Sequence, residues 1–93
     1  MSAHIIGHIT IKDAGKWQQY VESVPATVEP WGGELVFRGK LTTIFSGEHP
    51  FTDTVVIRFP DTTAIDSWYA SEQYQALIPL REAAADITLL SFQ

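Results

Sequence analysis

His4-Ile5-Ile6-Gly7-His8-Ile9-Thr10-Ile11, followed by Lys12-Asp13-Ala14, is the stretch that decides the fold class. Ile5, Ile9 and Ile11 fall on one side of an extended chain, and Ile6, His8 and Thr10 on the other, the two-residue alternation of a strand. Asp13 is placed to cap a helix, because its carboxylate can accept from the unpaired N–H groups of a first turn. Ala14, Trp17, Tyr20, Val21, Val24 and Val28 then recur at spacings of three and four, the apolar stripe of a helix. A strand that leads straight into an amphipathic helix opens a β-α unit.

Outward from that unit, Pro25 is expected to kink the helix or split it in two, since proline lacks the N–H that the helix interior needs. Pro30-Trp31-Gly32-Gly33 ends the segment. Residues 34–38 read as a second strand, and Gly39-Lys40 as a tight turn into a third over 41–46. Gly47-Glu48-His49-Pro50 breaks the chain again. Residues 52–59 alternate, with Val55, Ile57 and Phe59 against Thr54, Val56 and Arg58. Pro60-Asp61-Thr62-Thr63 starts a second helix with Ile65, Trp68 and Tyr69 at helical spacing. Ser71 re-caps it, and Tyr74, Leu77 and Leu80 follow, with a distortion expected at Pro79. Residues 86–92 form a last strand.

The order is β-α-β-β-β-α-β. Without the short hairpin strand it is the split β-α-β arrangement, a ferredoxin-like α+β fold with an antiparallel sheet and two helices on one face. The 93 residues suffice for one domain over 1–93. A sheet face left to solvent should be polar. Here the less apolar parity still holds Ile6, Val36, Ile44, Val56, Leu90 and Phe92. On a monomer this would be a large apolar patch. Two copies packed sheet to sheet would cover it, so a homodimer through the sheet face is expected.

Composition narrows the function. Six Lys and Arg against eleven Asp and Glu give a net charge of -5, and the basic residues are scattered singly. The phosphate-binding face of a nucleic-acid binder is missing, and the charge disfavours anionic membranes. The absence of cysteine excludes disulfides, thiolate zinc sites, iron–sulfur clusters and thiol nucleophiles. No apolar run has membrane-span length and no signal core opens the chain, so the cytoplasm is the expected location. Phosphate-binding glycine loops, dinucleotide fingerprints and nucleophile elbows are absent.

Four stretches make the pattern familiar. They are Ile6-Gly7-His8-Ile9 with Asp13; Trp31-Gly32-Gly33 leading to Val36-Phe37-Arg38-Gly39; Val55-Val56-Ile57-Arg58-Phe59-Pro60; and Trp68-Tyr69-Ala70-Ser71-Glu72-Gln73-Tyr74-Gln75 followed by Arg81. In that order the chain resembles the domain of unknown function 1330 family, small bacterial proteins of the dimeric α-β barrel superfamily. The resemblance implies the ferredoxin-like fold and the sheet-to-sheet dimer. It implies no particular activity, because the superfamily includes cofactor-free monooxygenases, isomerases and haem enzymes. Many relatives carry a Glu before the glycine after the third strand. Here Ser46 stands in that place, so a catalytic carboxylate there would be missing.

His8 is the first candidate catalytic residue, since imidazole serves as general base or acid near neutral pH. Set against this is a core or interface histidine held by a hydrogen bond. Arg38 is the second, a guanidinium able to hold a carboxylate or enolate, or an ion pair across the dimer. Arg58 is expected in a salt bridge, and His49 as an exposed loop residue. His4 shares the parity of His8 but lies about 13 Å away along a strand, so no metal site is expected. Tyr20, Trp31, Trp68, Tyr74 and Arg81 are the candidate substrate-binding residues. The aromatics would line an apolar pocket between helices and sheet, with phenols orienting a ligand. For Trp17, Trp68 and Leu77 core packing at helical spacing is the favoured reading, with Tyr20 and Tyr74 the better site residues, and Arg81 also suits the end of a helix dipole.

Two readings remain open. In one, the protein is a cofactor-free enzyme on a small apolar or aromatic carbonyl or acid. His8 removes a proton and Arg38 stabilises the oxyanion. In the other it is a non-catalytic small-molecule-binding or interaction dimer, which Ser46 favours. A haem enzyme is a distant third, without a flanking pattern around any histidine. No cofactor is implied.

Overall fold

The computed structural model describes residues 2–93. Strand β1 (Ala3–Ile11) leads into helix α1 (Ala14–Val28), which a 3-10 turn (Glu29–Trp31) closes. Strands β2 (Glu34–Lys40) and β3 (Asp53–Phe59) follow, then helices α2 (Thr62–Ala70), α3 (Glu72–Gln75) and α4 (Ile78–Ala84), and strand β4 (Ala85–Phe92). The sheet order is β2-β3-β1-β4, antiparallel throughout, with β1 and β3 central. This is the ferredoxin-like α+β arrangement.

The helix starts follow the sequence signals. Asp13 accepts from the Lys16 N–H, Asp61 from the Ala64 N–H and Ser71 from the Tyr74 N–H. Each cap satisfies a donor that the first turn leaves unpaired. Gly32 has φ of +75°, the left-handed conformation that ends the 3-10 turn and that a side chain would strain.

Two expectations fail. Pro25 neither splits nor interrupts α1: it costs one N–H, while its carbonyl still accepts from the Glu29 N–H, and the helix runs on to Val28. The distortion expected at Pro79 is the break between α3 and α4 at Ala76 and Leu77, which leaves Pro79 in the first turn of α4, where its missing N–H has no intrahelical partner. The strand over 41–46 does not form. Gly39 and Lys40 belong to β2, and the Leu41 N–H donates to the Thr52 carbonyl at 2.7 Å. Beyond that bond the chain leaves the sheet as irregular structure, exposing Leu41, Ile44 and Phe45.

Strand alternation sorts β1 cleanly. Ala3, Ile5 and Ile9 are buried against the helices, joined by Ile57 and Phe59 of β3 in a core with Tyr20, Val28, Ile65, Trp68 and Tyr74. Gly7 lies on this same face, where a Cβ would stand 3.0 Å from Val55 and 3.2 Å from Leu89. Strand β2 departs from simple alternation. Its register with β3 shifts between Leu35 and Phe37, so that Leu35 pairs with Ile57, Phe37 with Val56 and Arg38 with Val55. A one-residue bulge moves every later side chain to the opposite face. Arg38 therefore lies on the helix side of the sheet. Counted without the bulge, it would share the outer face with His8.

Candidate functional site

A groove runs between α1 and the sheet and reaches Arg38 on the edge strand β2. Trp17, Val21 and Val24 of α1 form one wall, and Val55, Ile57 and Leu89 of the sheet form the floor. The inner part encloses about 40 Å³ within a hollow of about 450 Å³ that includes its open mouth. That enclosed space holds only a few waters. Towards Pro25, Val28, Gly33 and Leu35 the groove widens into a second hollow of about 240 Å³, which shares Val24, Arg38 and Ile57 with the first. Arg38 is thus the one charged side chain common to both.

Arg38 is exposed at the rim and, among the described residues, has neither an ion pair nor a side-chain hydrogen bond. Arg58, by contrast, pairs with Glu34 across β2 and β3 on the outer face, as its position led one to expect.

Tyr20 lines the groove from α1 and stacks with Trp17 at 5.2 Å between ring centroids. Its hydroxyl shares a 2.8 Å hydrogen bond with that of Tyr74. The Tyr74 oxygen in turn accepts from Arg81 Nη1 at 3.0 Å. Burial pushes the Tyr20 phenol well above its ordinary value, with Tyr74 adding to the effect, so the group is a neutral hydroxyl. Burial works against the Arg81 charge, but hydrogen bonding and electrostatic attraction to Tyr74 and Tyr69 together outweigh it and hold the guanidinium protonated. The three side chains tie α1, α3 and α4 together. They form a buried polar network, which specifies packing when its members are satisfied; the Arg81 Nε is the one buried atom left without a partner among the described residues.

Of the substrate-binding candidates, only Tyr20 and Trp68 reach the groove, and Trp68 does so from the core. Its indole N–H donates to Thr27 Oγ1 at 3.1 Å, and its ring packs 4.3 Å from Tyr74 and 5.4 Å from Phe59. Tyr74 is fully buried. Trp31 sits exposed on the 3-10 turn and does not line the groove. Arg81 borders a separate depression with Lys12, Glu82 and Asp86.

His8 and Arg38 do not converge. His8 points to the outer face of β1, where its Nδ1 lies 3.1 Å from Thr54 Oγ1. His49 is not a free loop residue either. It is half-buried, and its ring centroid lies 4.9 Å from that of His8. Ser46 is exposed on the same loop and brings no carboxylate to the groove. Parity counting missed the groove position of Arg38. The consecutive apolar run Leu35-Val36-Phe37, which breaks the alternation, is the signal that could have found the bulge.

The model of a domain of unknown function, DUF1330, matches residues 2–93. The chain belongs to the DUF1330 family. No curated protein matches this DUF1330 chain. Solved structures do. The RPA0582 protein of unknown function from Rhodopseudomonas palustris aligns with a TM-score of 0.83 at 16% identity, over 98% of this chain and 80% of that one. SnoaB, a cofactor-independent oxygenase from Streptomyces nogalater, gives 0.70 at 14% identity, over 99% and 91%. A dimeric ferredoxin-like protein of unknown function from Jannaschia sp. CCS1 gives 0.71 at 12% identity, over 100% and 99%. At such identities the likeness establishes the fold. No helix among the described residues is long and apolar enough to cross a membrane.

Proposed function

We propose that this DUF1330 protein is a homodimer, packed outer sheet face to outer sheet face, whose α1–β2 groove in each copy binds a small apolar or aromatic acid. The observation that carries the ligand reading is Arg38, an unpaired guanidinium shared by two hollows, of which the inner is otherwise lined almost wholly by apolar and aromatic side chains and the outer also meets Glu29 and Glu34. Apolar walls with one convergent polar group are the usual construction of a small-molecule site, and a guanidinium matches a carboxylate or enolate in two hydrogen bonds. Exposed Phe37, Leu90 and Phe92 on the outer face support the dimer, as does the dimeric state of the similar Jannaschia protein.

Calorimetric titration with 1-naphthoate, against neutral 1-naphthamide, tests the ligand class. The acid should bind and the amide should bind at least about tenfold more weakly. Arg38→Ala should cost the acid about 10- to 100-fold, the range of a lost charge-assisted hydrogen bond. Equal binding of acid and amide would remove the reading.

Turnover in the same groove is the second reading, favoured by the similarity in fold to a cofactor-independent oxygenase. The inner part of the groove is lined by no carboxylate or imidazole, Glu29 and Glu34 bordering only the outer hollow, and Tyr20 is a neutral phenol. A substrate would therefore have to ionise by itself, as an acidic phenol or enol, with Arg38 stabilising the anion. Oxygen consumption on adding such a phenol, lost in Arg38→Ala, would distinguish turnover from binding alone.

A further inference from the structure

The His8–His49 pair takes no part in the groove and sets two metal-ligating side chains against each other. The irregular segment after β2 folds back over the outer face and sets the two rings at 4.9 Å and 81°. Phe51 packs beside both, 6.1 Å from His8 and 5.8 Å from His49. Thr54 Oγ1 engages His8 Nδ1 and so leaves Nε2 available. Among the described residues no side-chain hydrogen bond occupies either ring nitrogen of His49. Both residues are half-buried.

Two imidazoles bound to one tetrahedral ion, with nitrogens at roughly 2.0–2.1 Å, have ring centroids about 5 Å apart. The observed separation already meets that condition. Histidines that ligate metals almost always carry a hydrogen bond on the other ring nitrogen, which fixes the ring. Thr54 supplies it for His8. Imidazole is a good ligand for zinc and the other late divalent ions.

We propose that His8 and His49 form a two-histidine site for a divalent transition metal, with zinc as the expected ion. No group of three or more His, Asp or Glu gathers among the described residues, so water completes the coordination and the affinity falls well below that of a four-ligand structural site. The inference stands apart from the groove reading. The pair does lie on the face assigned above to the dimer, so the experiment reads the two separately.

Untagged wild-type protein, His8→Asn, His49→Ala and His4→Ala are titrated with zinc chloride by calorimetry, and cobalt(II) absorption reports the coordination. The wild type should bind about one zinc per chain. His8→Asn and His49→Ala should each weaken binding at least about tenfold, the scale on which such sites respond, and His4→Ala should not. His49 lies in irregular structure, so its loss leaves the fold intact, which far-ultraviolet circular dichroism verifies. Absence of zinc binding by the wild type, or unchanged affinity in His49→Ala, would overturn the inference. Sedimentation equilibrium of the metal-free wild type tests the dimer independently. A monomer that still binds zinc through both histidines would refute the dimer and leave this site standing.

Discussion

On the helix-covered face of the sheet, Ile5, Ile57 and Phe59 are 5%, 6% and 0% exposed. On the other face Phe37, Leu90 and Phe92 are 54%, 38% and 50% exposed. The central strands β1 and β3 supply the first set, and the edge strands β2 and β4 the second. The first set is closed by Tyr20, Val28, Ile65, Trp68 and Tyr74, within reach in one chain. The second has nothing from its own chain above it except the returning loop with His49 and Phe51. The contrast teaches that apolar alternation fixes which residues share a face, while the helices decide which face a single chain can bury.

The comparison breaks most severely at Trp68. Trp68→Ala removes the largest fully buried side chain and leaves Thr27 without its indole donor. The expected loss is about 3–5 kcal/mol, read as a shift in the urea unfolding midpoint. Phe37→Glu tests the opposite face. A charge there should leave the fold intact but weaken self-association by about 2 kcal/mol or more, read by sedimentation equilibrium. A monomeric wild type would instead mean that this face meets something other than its own copy.

Tyr20 sharpens the contrast through pH. Its folded pKa is raised above the ordinary phenol value near 10. The unfolded chain therefore loses this proton first as the solution becomes alkaline, so the stabilisation is complete below pH of about 10 and declines above it. Tyr20→Phe should flatten that alkaline decline in the unfolding free energy. An unchanged slope would mean that the phenol titrates freely. The smallest effect is expected from Thr54→Val, which removes the hydroxyl beside His8 Nδ1. The cost should be about 1 kcal/mol or less, measured by chemical denaturation. A larger loss would make the His8 cluster part of the packing that holds the sheet together.

Much of the architecture was legible because local chemistry and tertiary fold agree. The alternation in β1 and β3, the helical spacing from Ala14 to Val28, and the caps Asp13, Asp61 and Ser71 all read correctly. The candidate site was less legible. Arg38 changed faces through a bulge, which period-two counting does not register. His49 met His8 through a fold-back of the loop, and Trp68 was drawn into the core that its helical spacing also allowed. Pro25 misled because a helix interior tolerates one missing N–H when the surrounding turns are packed. Leu41, Ile44 and Phe45 misled because Gly39 and Lys40 continue β2 instead of turning, so no hairpin returns the chain along its edge.

The bulge at Val36 has a consequence for how the chain behaves in crowded solution. Strand β2 is a sheet edge, and Leu35-Val36-Phe37 along it is exposed and rich in β-forming residues. A flat edge of that composition is a template on which foreign strands can stack. The extra residue twists the edge and interrupts its row of unpaired amides, while Arg38 and Lys40 place positive charge beside it. The irregularity that turns a guanidinium into the groove therefore also acts as a gatekeeper against runaway β-aggregation, and straightening this edge would put solubility at risk along with ligand recognition.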